Sequence, residues 1–218
     1  MIADNRLTAH DSEGGGLAVT RSTSGHTVLI DRTTFSGNIV DQNTARGGGL
    51  HIDGSLDATV RRSTFSANRA WAGGGALLAT WPNPARIEAT TFIGDLGVWT
   101  LVAGNSSGIS LAATIVAPAQ GQACNASPFI ASAGWNIADD ASCNLTQPTD
   151  RASIDPLLAP LADNGGPTRT ALPLPGSPAL DAIPQATAGL CDASLATDQR
   201  GSPRPQGPAC DIGAAERP

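Results

Sequence analysis

The sequence predicts an all-β chain wound as a parallel β-helix, a β-solenoid, on three observations: recurring Gly triplets, a recurring Thr-Phe signature, and apolar residues alternating with period two. The triplets open similar segments, Gly14-Gly15-Gly16-Leu17-Ala18-Val19, Gly47-Gly48-Gly49-Leu50-His51-Ile52 and Gly73-Gly74-Gly75-Ala76-Leu77-Leu78. The signature recurs as Thr34-Phe35-Ser36-Gly37-Asn38, Thr64-Phe65-Ser66-Ala67-Asn68 and Thr91-Phe92-Ile93-Gly94-Asp95, with its Phe residues 30 and 27 positions apart. Leu17/Val19 and Leu50/Ile52 alternate with small or polar neighbours, which marks strands and not helices. Four-stranded propeller blades need about 40–50 residues each. Units this short suit a coil of two or three strands stacked on the next coil.

In such a stack, like residues lie over like. Aligning on Phe35, Phe65 and Phe92 places Val28, Ala58 and Ala85 inward, followed by Ile30, Val60 and Ile87. Between them Asp31, Arg61 and Glu88 form an outward column of alternating charge, which favours one register over its slips. Asn5, Asn38, Asn68 and Asp95 share a column at a turn, where side-chain amides can bond from coil to coil. Asp95 departs from the pattern. A weaker fourth turn follows at 109–116, one residue out of register. Residues 1–120 are therefore expected to form about four coils, the first incomplete. Asn5 precedes Gly14 by nine residues, as Asn38 precedes Gly47, and Met1–Arg6 lacks a signal-peptide pattern. The chain is thus expected to be the C-terminal part of a larger protein.

Composition then changes. Residues 1–81 hold no Pro, whereas 148–218 hold twelve, and all four Cys lie at 124 or beyond. Residues 121–218 read as an irregular, Pro/Gly-rich tail with little apolar core of its own, capping the solenoid against edge pairing. Four Cys permit three pairings. Cys124 and Cys143 lie 19 apart, as do Cys191 and Cys210, so two local disulfides are expected. Metal binding is the rival reading; it lacks a CxxC pair, and every His lies in the repeats. Disulfides would place the chain in an oxidising compartment.

All 13 basic residues are Arg and the net charge is -6. That balance speaks against nucleic acid and against a polybasic membrane contact, and no apolar stretch is long enough for a membrane span. With no Lys there is no Walker lysine and no Schiff base.

The tail carries Asp155-Pro156-Leu157-Leu158 through Asp163-Asn164-Gly165-Gly166-Pro167-Thr168, then Leu174-Pro175-Gly176-Ser177-Pro178-Ala179-Leu180-Asp181, then Thr197-Asp198-Gln199-Arg200-Gly201 through Cys210-Asp211-Ile212-Gly213 to Glu216. In these motifs it resembles the "choice-of-anchor" C-terminal domain family of bacterial surface proteins. The repeats are similar to the GGA(I/L)/FxxN units of polymorphic outer-membrane proteins. This resemblance implies a right-handed parallel β-helix that is exported and held at the surface by variable anchors.

Catalytic patterns are sparse. A polysaccharide lyase would need carboxylates around Ca²⁺ and a basic residue, but Asp31, Arg61 and Glu88 neutralise one another. Asp139-Asp140 is an acidic pair in a turn-rich loop. Gly104-Asn105-Ser106-Ser107-Gly108 matches a nucleophile elbow without the helix or later His that motif requires. His51 and Asp53 share a face and are candidates for ligand contact, as are Trp71 and Trp81 beside the third Gly triplet. No cofactor is indicated. The expected function is a non-catalytic extracellular, cell-surface or periplasmic module contacting a protein or a surface glycan. A β-helical lyase or hydrolase fragment and an accessory subunit of a larger complex are the alternatives.

Overall fold

The computed structural model describes residues 1–8, 14–41, 46–80, 84–104, 108–125 and 129–218. The chain opens with strands β1 (Ile2–Ala3), β2 (Arg6–Leu7) and β3 (Leu17–Asp31), and the next circuit repeats them as β4 (Thr34–Ser36), β5 (Ile39–Val40) and β6 (Leu50–Arg61). Then come β7 (Thr64–Ser66), β8 (Arg69–Ala70), β9 (Leu77–Thr80) and β10 (Ala85–Glu88), followed by β11 (Thr91–Ile93), β12 (Leu96–Ala103) and β13 (Ile109–Ala112). The last rungs are β14 (Ile115–Ala117), β15 (Gln120–Cys124), β16 (Ile130–Ser132), β17 (Ile137–Ala138) and β18 (Arg151–Ala152).

Every pairing between these strands is parallel, as a β-solenoid requires. A seven-stranded face runs β1-β4-β7-β11-β14-β17-β18, and an eleven-stranded sheet bends around the remaining sides. Strand β6 shows the bend: its start pairs with β9 and its end with β10. Parallel pairing continues past residue 120 through β16, β17 and β18, so part of the Pro/Gly-rich tail still contributes rungs.

Register follows the repeats. Phe35 lies on Phe65 and Phe65 on Phe92, and all three are fully buried. Their rings stack at 4.6 and 4.7 Å with interplanar angles of 7° and 19°, a spacing set by the distance between neighbouring strands. Ile30, Val60, Ile87 and Leu111 form a second inward file. Asp31, Arg61 and Glu88 align outside as expected, with Arg61 Nη2 3.3 Å from Asp31 Oδ2. Burial opposes the Asp31 charge, but the guanidiniums of Arg62 and Arg61 outweigh it and hold its pKa below the usual value.

The corners need more than glycine. Arg32, Arg62, Ala89 and Ala113 all take positive φ, between 43° and 51°, a conformation that costs a side-chain-bearing residue roughly 1–2 kcal/mol. Each is followed by a hydroxyl residue. Thr33, Ser63, Thr90 and Thr114 donate from Oγ to the carbonyls of Asp31, Arg61, Glu88 and Ala112, two residues back. Local hydroxyl bonds of this kind offset the strain at a turn.

The next corner holds the ladder. Asn38 Oδ1 accepts from the Asn5 backbone N–H (3.2 Å) and from Asn5 Nδ2 (2.8 Å). Asn68 repeats this toward Asn38, and Asp95 toward Asn68. The second amide hydrogen of Asn38 goes to the Ile2 carbonyl and that of Asn68 to the Phe35 carbonyl. Asn38, Asn68 and Asp95 are completely buried. A second, shorter ladder stands at the first corner, in the column of Thr114, where Asn136 Oδ1 accepts from Thr114 N–H and Asp150 Oδ1 from Asn136 N–H.

The tail covers two surfaces. Its first part plugs the end of the rod, where Cys124, Cys143 and Leu145 close the interior core. The rest runs back along the outside of the seven-stranded face. There Thr34 Oγ1 donates to the Arg169 carbonyl, Thr64 Oγ1 donates to Gln199 Oε1, and Thr91 Oγ1 accepts from Ala214 N–H. Beneath these bonds Ala89, Ala113, Ile115 and Ile137 pack against Ala179, Ile183, Leu190, Leu195 and Ile212. The expectation of a tail with little apolar core is thus corrected: small and β-branched residues on the outer flank supply one half of a second core, and the tail supplies the other. Both local disulfides form, Cys124–Cys143 and Cys191–Cys210, each stabilising by about 3 kcal/mol on the chain-entropy estimate. Arg204 pins the tail from within, its buried guanidinium 3.2 Å from Glu216 Oε1 and donating to the Gly213 and Asp211 carbonyls.

Asp95 yields a prediction. Its Oδ2 is buried without a partner, at the place where an asparagine in the ladder carries its NH₂. Burial raises its pKa to about 7, against the bonds donated by Asn68. The native state therefore holds a proton that the unfolded chain releases near pH 4, so stability falls as pH rises from about 4 to about 7. Asp95→Asn should raise the urea-unfolding free energy at pH 8 by roughly 2–4 kcal/mol and leave it nearly unchanged at pH 4. Equal effects at both pH values would contradict this assignment.

Candidate functional site

Carboxylates outside the core are mostly committed to structure. Asp31 is engaged by Arg61 and Arg62, and Asp57 by Arg86 on the next rung. Asp140 accepts from Ala123 N–H and Ser142 N–H, which clasps the loop closed by Cys124–Cys143. Beside it, burial and then the Asp140 and Asp155 charges raise the pKa of Asp139 to about 6. Among the described residues no three His, Cys, Asp or Glu side chains gather to hold a metal ion.

His51 departs from expectation. It is 1% exposed, in a column between Ala18 and Leu78, so it offers no surface to a ligand. Thr80 Oγ1 donates to Asp53 Oδ1 at 2.7 Å, and His51 Nε2 lies 3.2 Å from the same hydroxyl. An ionised carboxylate can only accept, so the threonine proton points at Asp53 and His51 donates to the oxygen. A base that activates a hydroxyl needs the opposite polarity. His51 and Asp53 do meet, through Thr80, in an arrangement that joins rungs.

The exposed aromatic surface lies around the corner. Trp71 is 52% exposed, with the Arg69 guanidinium 4.7 Å from its ring centroid. Positions 69 and 71 fall on the same side of an extended chain. One rung on, Val98 is 49% exposed. Between them runs a depression of about 460 Å³ bordered by Arg69, Trp71, Leu96, Val98 and Gln120. Trp81 lies outside the described residues.

Trp99 is a surface residue the repeat pattern did not reveal. It lines a second depression of about 410 Å³, with Arg46, Thr80 and Asn125, and its Nε1–H donates to Gln122 Oε1 at 3.1 Å. A Cβ on Gly73 would stand 3.0 Å from the indole ring, so glycine there lets the ring lie against backbone. Register shifts between Leu96 and Trp99, which breaks the alternation that sequence reading relies on. Asn105, Ser106 and Ser107 of the Gly104–Gly108 match lie outside the described residues, and a strand, β13, follows the match.

This surface belongs to a parallel β-solenoid stapled by two disulfides. Compared with known protein families, curated proteins and solved structures, the chain matches none.

Burial separates the aromatic residues by role. Trp71→Ala should change unfolding free energy by no more than about 0.5 kcal/mol, whereas Phe65→Ala should cost about 3–5 kcal/mol, both read from urea titrations. A large loss from Trp71→Ala would place that ring in the fold and not on its surface.

Proposed function

We propose that the chain is a non-catalytic β-solenoid module that works outside the cell or in the periplasm, presenting a rigid outer face to a binding partner. The exposed Trp71–Val98 surface carries this reading, since large apolar side chains left open beside cationic and amide groups are the usual anchors of recognition. The commitment of Asp31, Asp53 and Asp57 to Arg or Thr partners supports the non-catalytic part. Two disulfides among four cysteines, none free, support an oxidising compartment, and no helix is long and apolar enough to cross a membrane among the described residues. The kinship proposed with choice-of-anchor surface proteins rests on the tail motifs. Gln199 of those motifs docks Thr34 and Thr64 on the rod.

Incubation with acidic and neutral polysaccharides, with and without Ca²⁺, tests the non-catalytic reading. No chain shortening is expected. Turnover that disappears in Asp53→Ala or Arg61→Ala would replace it with a lyase or hydrolase.

A further inference from the structure

We propose that the trough beside Trp71 is a binding site for an acidic, uronate-bearing polysaccharide laid along the solenoid axis. The proposal rests on the reading of the chain as a binding module and names its ligand.

Stacking builds the trough. Arg6, Ile39, Arg69, Leu96 and Gln120 follow one another in register across five rungs and form one wall. Trp71 and Val98 stand on the other side. The floor between them is Ala70, Gly97 and Gly121. A Cβ on Gly121 would meet the Gly97 carbonyl oxygen at 2.1 Å, so the floor stays bare backbone there. A trough built by repetition suits a ligand that is itself a repeating chain.

Charge selects the ligand's sign. Asp41 bridges Arg6 and Arg69, leaving one positive charge over from that trio. Arg46, which lines the neighbouring depression and pairs laterally with Gly73, has no carboxylate partner among the described residues. In a chain of net charge -6 this is a local cationic face, which attracts an anion.

Chemistry separates sugar from peptide. An extended peptide binds a sheet by adding main-chain hydrogen bonds to an open edge. Here the rungs bond one another across the trough: Leu96 N–H donates to the Asn68 carbonyl and Ala119 N–H to the Asp95 carbonyl. What remains exposed is the Trp71 indole, whose other face carries the Arg69 guanidinium, for the apolar face of a sugar ring, the surplus positive charge of the Arg6–Asp41–Arg69 trio for a carboxylate, and the Gln120 amide for hydroxyls.

The test titrates the full, disulfide-intact chain by calorimetry with polygalacturonate, alginate, a neutral glucan and poly-glutamate. The expected result is saturable binding to one or both uronate polymers, weakened by salt and reduced at least tenfold by Trp71→Ala and by Arg69→Gln at unchanged melting temperature. Absence of binding to both uronate polymers would overturn the proposal, as would equal binding of poly-glutamate or of the neutral glucan, or binding indifferent to Trp71→Ala. New chain ends appearing in the same samples would sink the non-catalytic reading instead, so the two failures are distinct.

Discussion

The structure depends on rung register, and the buried asparagine column is where register is enforced. Each ladder oxygen takes both the backbone N–H and the side-chain amide of the rung before it. A slip of one residue would turn every Phe outward and every Thr inward, since side chains alternate with period two. A slip of the ladder would leave buried amide groups unpaired, at about 1–3 kcal/mol for each. The stacked Phe rings and the aliphatic files follow from that alignment, and so do both walls of the surface trough.

A solenoid that solves its interior still has an outside to cover. On the seven-stranded face and the corner beside it, Ile115, Ile137, Ala89 and Ala113 cannot be left to water without loss, and the tail encloses them. The outward Thr34, Thr64 and Thr91 give the tail fixed partners one rung apart. Repetition in the rod therefore templates an irregular segment. The disulfides divide the remaining work: Cys124–Cys143 belongs to the interior core at the rod's end, and Cys191–Cys210 to the flank core.

What was legible in the sequence was whatever repeats. Phe35, Phe65 and Phe92 announced their own stacking, the Asn column announced its ladder, and equal Cys spacing anticipated both bridges. The later rungs were harder to see because they shorten, with Thr114 and Asn136 only 22 residues apart, and because they carry no Phe. The flank docking was hidden because an outward Thr looks the same whether it meets water or a partner 135 residues away, as Thr64 does in Gln199. Positive φ at Arg32, Arg62, Ala89 and Ala113 has no glycine to mark it. His51 occupies an outward position by alternation, yet it is buried while Ala18 one rung before it is exposed, so period alone misjudged its exposure. Trp99 lay behind a register shift.

Amide hydrogen exchange on the disulfide-intact chain tests the central claim most directly. If the ladder enforces register, the N–H groups of Asn38 and Asn68 exchange only through global unfolding, at the slowest rates in the molecule and together with Phe65 and Phe92. Exchange at Asn38 and Asn68 as rapid as at exposed turns such as Gly165 or Gly176 would contradict it.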